Sequence, residues 1–148
     1  MIKIEKVKLK IEKVKDIRID KANNTISKAD DVYNIVKDLL ENEDRQNILC
    51  LCLDVKNRIN NISTICIGSL NQSILHPREV FKIAIMSNSA SIIIATNHVS
   101  GNIMIEKSEI KTMERISEVG ELLGIEVLDF VVIGENGYTS YEALEKNK

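Results

Sequence analysis

The sequence predicts one α/β (α+β) domain in which a mixed central sheet is flanked by about three helices. Three observations carry this reading. Short runs rich in Ile, Val and Leu recur at 48–53, 91–96 and 127–133 and read as strands, the first nearly continuous in apolar residues as in a central strand buried on both faces. Around them lie stretches with apolar residues at three- and four-residue spacing, as an amphipathic helix requires. No linker divides the 148 residues, a length suited to a single core.

Residues 2–20 alternate apolar and charged side chains, with Ile4, Val7, Leu9, Ile11, Ile17 and Ile19 as the apolar set. That period predicts one or two half-buried strands, an N-terminal β segment within residues 1–26. Ala22-Asn23-Asn24 is a turn signal. Ser27 and Asp30 resemble a capping box. The helix they open has Val32, Ile35, Val36, Leu39 and Leu40 as its stripe and runs to about Glu43. Ile48–Leu53 reads as a central strand, Asp54–Asn57 as a turn and Ile59–Ile67 as the returning strand of a hairpin. Gly68–Leu75 is a connector. His76-Pro77-Arg78-Glu79 starts a second helix with Pro at an early position and His76 in a capping or packing role. Its apolar residues are Val80, Ile83, Ala84 and Ile85. After the strand at 91–96, a third helix is predicted from about Glu106 to Leu123. It turns Ile110, Met113, Ile116, Val119 and Leu123 inward and ends at Gly124 as C′ residue. Val127–Ile133 is strand-like, Gly134–Gly137 a turn and Tyr138–Tyr141 a short strand, with a polar tail over 143–148.

Aromatic residues are 3% of the chain and Trp is absent, so the core rests on Ile, Leu and Val. The base-stacking platforms of single-strand binders are correspondingly missing. Twenty basic against 22 acidic residues give a formal net charge of −2, and no global field favours nucleic acid or an anionic membrane. The first 21 residues lean basic, and their lysines read as solvated groups on an edge strand. Cys50, Cys52 and Cys66 look like small buried apolar residues of a reduced compartment. Cys50-x-Cys52 lies on one face of one strand and lacks the paired knuckle of a zinc site. Met1 leads into alternating charges, and no apolar run approaches 18 residues. These features predict a cytoplasmic protein with no leader and no membrane partner.

The stretch 91–109, SIIIATNHVSGNIMIEKSE, carries the chemistry the sequence offers. It joins a β-branched strand to a helix through a polar loop holding His98, one of two histidines, and such loops are where folds commonly place function. The six glycines form neither a P-loop nor a dinucleotide fingerprint.

Several pieces together resemble the RadC family, a bacterial branch of the JAMM/MPN (JAB) metallopeptidase-like domains. They are Leu53-Asp54-Val55-Lys56-Asn57-Arg58, Gly68-Ser69-Leu70, His76-Pro77-Arg78-Glu79 and Asn97-His98-Val99-Ser100-Gly101. Leu122-Leu123-Gly124-Ile125, Leu128-Asp129 and Ile133-Gly134 follow in order, so the resemblance covers a core of residues 27–142. It implies a single JAMM/MPN-like domain. The helix-hairpin-helix module that precedes this domain in full-length RadC proteins has no counterpart in the sequence.

The resemblance also implies a zinc ion on a His-x-His pair and an Asp, an upstream Glu as general base and a Ser at the oxyanion. Mapped onto this chain, the first His falls at Thr96, the second is His98 and the Asp falls at Glu109. The Ser falls at Glu106 and the general base at Gln46, whose amide cannot take a proton near neutral pH. Val99 replaces a Pro, and Phe130 a His that follows Asp129 in many relatives. His98 and Glu109 are therefore the metal-ligand candidates, Gln46 and Glu106 altered catalytic positions, and Asn97, Ser100 and Gly101 candidate binding residues. Glu41, Glu43 or Asp44 could supply a shifted site.

The expected function is that of a catalytically degenerate RadC/JAMM-like domain acting as a protein-binding module, one form being an inhibitor encoded by a phage or mobile element. The alternative is a residual zinc-dependent, peptidase-like JAMM metallohydrolase. A third reading is a DNA-repair-associated protein binding DNA through its basic N-terminal strands. No cofactor is expected under the first reading and zinc under the second. The expected partner is another protein, with a homodimer compatible and nucleic acid disfavoured.

Overall fold

The computed structural model describes residues 1–19, 24–68 and 75–146. Its elements are α1 (Ala29–Leu40), β1 (Asn47–Leu53), β2 (Ile59–Ile67), α2 (Pro77–Met86), β3 (Ser91–Asn97), α3 (Lys107–Leu123), β4 (Glu126–Ile133), β5 (Tyr138–Ser140) and α4 (Tyr141–Lys146). The strands form one mixed sheet in the order β2-β1-β3-β4-β5. Only the β3–β4 pair is parallel, and α3 makes the crossover that a parallel connection needs.

Every residue of β1 and β3 is buried. Alternate side chains therefore face two cores. Ile48, Cys50, Cys52, Ile92, Ile94, Phe130 and Val132 meet Val80, Phe81 and Ala84 of α2 and Met113 and Ile116 of α3. Leu49, Leu51, Leu53, Ile93, Ala95, Val131 and Ile133 meet Val32, Val36 and Leu40 of α1 on the other face. The predicted architecture of a mixed sheet under helices holds. No helix of the described residues is long and apolar enough to cross a membrane.

The β1–β2 hairpin closes on Asp54. Its Oδ1 accepts the N–H groups of Lys56 and Arg58 (2.9 and 3.0 Å), and its Oδ2 accepts from Arg58 Nε (2.9 Å). Those bonds hold the Asp54 carboxyl below its ordinary range, the Arg58 N–H contributing most. Asn57 takes a left-handed φ of 59°, which asparagine tolerates in a turn. The Cys50 and Cys52 sulfurs lie 4.0 Å apart in the α2/α3 core as free thiols. The Cys52 sulfur and burial push the Cys50 thiol well above its ordinary value. Cys66 is only half-buried, because β2 is an edge strand.

Several expectations are corrected. Residues 1–19 form neither helix nor strand, since alternation provides a pattern but no neighbouring strand to satisfy the backbone. Of the expected N-terminal β segment, the described residues keep one bridge, Thr25 opposite Arg58. There Ile26 N–H donates to the Asn57 carbonyl (2.8 Å) and Ile59 N–H to that of Asn24 (2.9 Å). Asp31, not Asp30, closes the start of α1, its Oδ2 accepting from Ser27 N (2.9 Å), Ser27 Oγ (2.9 Å) and Lys28 N (3.1 Å). That helix ends at Leu40, short of Glu43. His76 occupies the N-cap of α2 without a side-chain cap bond. Leu123 is 46% exposed, whereas Ile125 joins the core, its N–H on the Gly120 carbonyl (2.9 Å). The polar tail begins as α4, which Asp129 and Ser140 cap. Asp129 Oδ1 accepts from Glu142 N (3.0 Å) and Ser140 Oγ from Ala143 N (3.3 Å). The turn at Ala22-Asn23 and connector residues 69–74 lie outside the described residues, as do residues 147–148.

Gly120 is where α3 comes closest to its own exit. A Cβ there would stand 2.5 Å from the Ile125 carbonyl oxygen and 3.2 Å from Phe81 Cζ. Gly120→Ala is therefore expected to lower stability by about 1–3 kcal/mol, against the ~1 kcal/mol that alanine ordinarily adds inside a helix. Urea unfolding of the two proteins checks the sign.

Candidate functional site

The site lies where β1 begins and β3 ends, because the antiparallel register sets Ile48 opposite Thr96 and brings Gln46 to the same end of the sheet. Asn97 ties the two strands. Its Oδ1 accepts from Asn47 N (2.7 Å) and its Nδ2 donates to the Arg45 carbonyl (3.0 Å). The chain then turns through the 98–106 loop into α3. Gly101 adopts φ 82°, its N–H donating to the His98 carbonyl (2.9 Å). Gly134 lets the loop lie against the β4–β5 turn, since a Cβ at that position would sit 2.4 Å from the Gly101 oxygen.

His98 reaches across to the first turn of α3. Its Nε2 lies 3.0 and 2.8 Å from the two carboxylate oxygens of Glu109, and its Nδ1 lies 2.8 Å from the Asn102 carbonyl. The Asn102 carbonyl accepts from Nδ1, and with an ionised carboxylate on the other side both bonds form together in the doubly protonated imidazolium. The Glu109 bond raises the His98 pKa above 6.5, with burial opposing it. Glu109 is 3% exposed and also accepts the Glu106 N–H (3.0 Å). A buried carboxylate is tolerable there because it has a cationic partner and sits at the positive end of a helix.

Thr96 and Gln46 form a second pair beside the first. Thr96 is fully buried, and its hydroxyl donates to the Asn47 carbonyl (2.9 Å) and accepts from Gln46 Nε2 (3.1 Å). An open cavity of about 270 Å³ lies alongside, lined by Gln46, His98, Val99, Ser100, Asn102, Met104 and Glu106.

The family model of the RadC-like JAB domain matches residues 26–147 of this chain. The chain belongs to the RadC-like JAB domain family. Among curated proteins it is similar to the UPF0758 protein of Methanosarcina barkeri, 41% identical over 122 residues, which is 82% of this chain and 53% of that protein. It is likewise 42% identical over 114 residues to the UPF0758 protein of Desulforamulus reducens, covering 77% and 50%. The Staphylococcus haemolyticus UPF0758 protein is 43% identical over 115 residues, covering 78% and 50%. The chain spans about half the length of the curated relatives it matches.

Four positions singled out in the sequence, Gln46, Thr96, His98 and Glu109, converge in this RadC-like domain as two bonded pairs. Glu106 is the N-cap residue of α3, exposed on the cavity rim, and contributes its backbone N–H to Glu109. Ser100 lines the cavity, its hydroxyl accepting from Asn102 N (3.3 Å). Asn97 and Gly101 do not line it. One is a buried strut between strands and the other a turn residue, so neither offers its side chain as a binding group. Glu41, Glu43 and Asp44 are exposed beyond the end of α1. Among the described residues, no three His, Cys, Asp or Glu side chains are grouped so as to hold a metal ion. Sequence reasoning missed Asn102 and Met104 in the cavity wall. Asn102 Oδ1 accepts from Met104 N (2.9 Å), the local turn that asparagine favours, and that is the signal that could have flagged it.

A raised His98 pKa has a definite sign. Its contribution to stability is complete below the unfolded value of about 6.5 and is lost as pH rises through the higher folded value. In an NMR titration the His98 ring is expected to change protonation above pH 6.5, and Glu109→Gln is expected to move that transition down.

Proposed function

We propose that this RadC-like JAB domain is catalytically silent and serves as a protein-binding module. The carrying observation is the donor set at the positions where the family resemblance implies zinc. A catalytic zinc site takes three protein ligands and leaves a fourth position for water. Here a threonine hydroxyl engaged with Gln46 and with the Asn47 and Asn97 carbonyls stands at one ligand position, and the other two donors, His98 and Glu109, bond each other. These residues do not fit a zinc ion. An amide at residue 46 also removes the proton acceptor, a loss worth about 10²–10⁴ in rate by itself.

The binding half of the reading is supported by the surface beside the pairs. Val99 and Met104 line the open cavity and are 62% and 67% exposed, an apolar rim around polar groups. Such a surface suits a protein segment placing one side chain in the cavity.

Purified protein is expected to hold well under one equivalent of zinc, unchanged after zinc addition and desalting. The chain carrying Gln46→Glu, Thr96→His, Glu106→Ser and Glu109→Asp together is expected to hold close to one. One tight equivalent in the natural chain would instead point to the metallohydrolase reading. The partner surface is checked by affinity capture, where Val99→Asp with Met104→Asp is expected to abolish recovery of a stoichiometric protein. Capture that those changes leave intact would exclude this face.

A further inference from the structure

Two features of the molecule have no use within the chain described so far. One is the segment ahead of α1, where Ile2 is 88%, Leu9 77% and Val14 95% exposed. The other is the outer edge of β2, the first strand in the sheet order. Beyond the Thr25–Arg58 bridge, residues 60–67 pair with β1 and with no other strand among the described residues. We propose that residues 2–16 add as a β-strand to the β2 edge of a second copy of this chain, and that the exchange is reciprocal, closing a two-fold dimer.

The edge itself calls for a partner. β2 reads INNISTICI, nine residues with neither a charge nor a proline, so it lacks the features by which sheet edges ordinarily resist strand addition. The segment supplies what the edge lacks. Val7, Leu9 and Ile11 share one parity, as do Ile17 and Ile19, with lysines between them, which is the pattern of a strand covering one apolar face.

A strand from the same chain satisfies only half of this. Continued antiparallel from Thr25 opposite Arg58, it reaches Ile67, the last residue of β2, at residue 16. It would cover the edge and leave Ile2, Ile4, Val7, Leu9, Ile11 and Val14 exposed. Exchange between two copies covers both, an isologous arrangement closes at two copies, and the lysines of the added segment blunt the new outer edge against a third.

Charge favours the same partner. Residues 1–19 carry seven Lys or Arg and three Asp or Glu, a net of +4, so in a chain of net −2 the remainder carries −6. A basic strand is thus drawn to the body of another copy. Helical pairing fits less well. The repeat of Ile4–Lys8 at Ile11–Lys15 has heptad spacing, but with Ile4 at an a position it sets Lys8, Lys10 and Lys15 at the flanks of the seam and leaves Leu9 outside it.

Sedimentation of the full chain at tens of micromolar tests the proposal, with twice the 16.7 kDa chain mass expected. Leu9→Pro removes a ladder donor and is expected to weaken dimerisation by ~100-fold. Because Leu9 lies outside both cores, that variant keeps its fold, which far-ultraviolet circular dichroism verifies. Hydrogen exchange is expected to protect residues 2–16 together with the N–H groups of residues 60–67 that point away from β1 in the natural chain, and in the variant to lose both while the N–H groups bonded to β1 stay protected. A monomeric natural chain would overturn the proposal, whether its segment folds onto its own domain or shifts single-stranded DNA at low salt. A dimer that persists in Leu9→Pro would overturn it as well.

Discussion

Burial of β1 and β3 on both faces is the constraint on which the rest depends. Strands whose middle residues are Ile, Leu, Cys and Ala, with polar residues only toward their ends, cannot border water on either side, so helices must cover the sheet above and below. In this chain α1 covers one face, and α2 with α3 covers the other. Side-chain parity then divides the two cores without ambiguity, with Cys50 and Cys52 toward α2 and α3, and Leu49 and Leu51 toward α1. A shift of one residue between β1 and β3 would exchange those sets, so the register is tightly specified.

That register also makes the site. Because Ile48 lies opposite Thr96, the residues just before β1 and just after β3 share one end of the sheet, and the parallel β3–β4 crossover brings the start of α3 to them. Asn97 fastens the arrangement by bonding the backbone at Arg45 and Asn47, so an amide side chain holds the two strands together at that end of the sheet. Burial at that end of the sheet requires that each polar group find a partner. Gln46 with Thr96, and His98 with Glu109, meet that condition. An unpaired carboxylate at position 109 would be costly in the same place.

The motifs that made the family legible are mostly structural in this chain. Asp54 and Arg58 close a hairpin, Pro77 begins a helix, Gly124 ends one with φ 74°, and Gly134 permits a close approach of two turns. Each answers a backbone requirement that does not depend on the reaction. That is why they can be read from the sequence without reference to the polar residues at the end of the sheet.

The sequence by itself determined the helices and strands between residues 29 and 140, the β1–β2 hairpin and the two-faced burial of β1. Apolar period and turn chemistry are local, and they were enough for those conclusions. Only the tertiary structure decided what each polar residue does. Asn97, a candidate binding residue by sequence, bonds the backbone of Asn47 and Arg45, partners that lie 50 and 52 residues away along the chain. The tail after Ser140 looked irregular but is helical, because its cap comes from Asp129 on the neighbouring strand. Residues 2–19 carry a strand pattern and form no strand within the chain, since alternation specifies a face, whereas a strand also needs a neighbour.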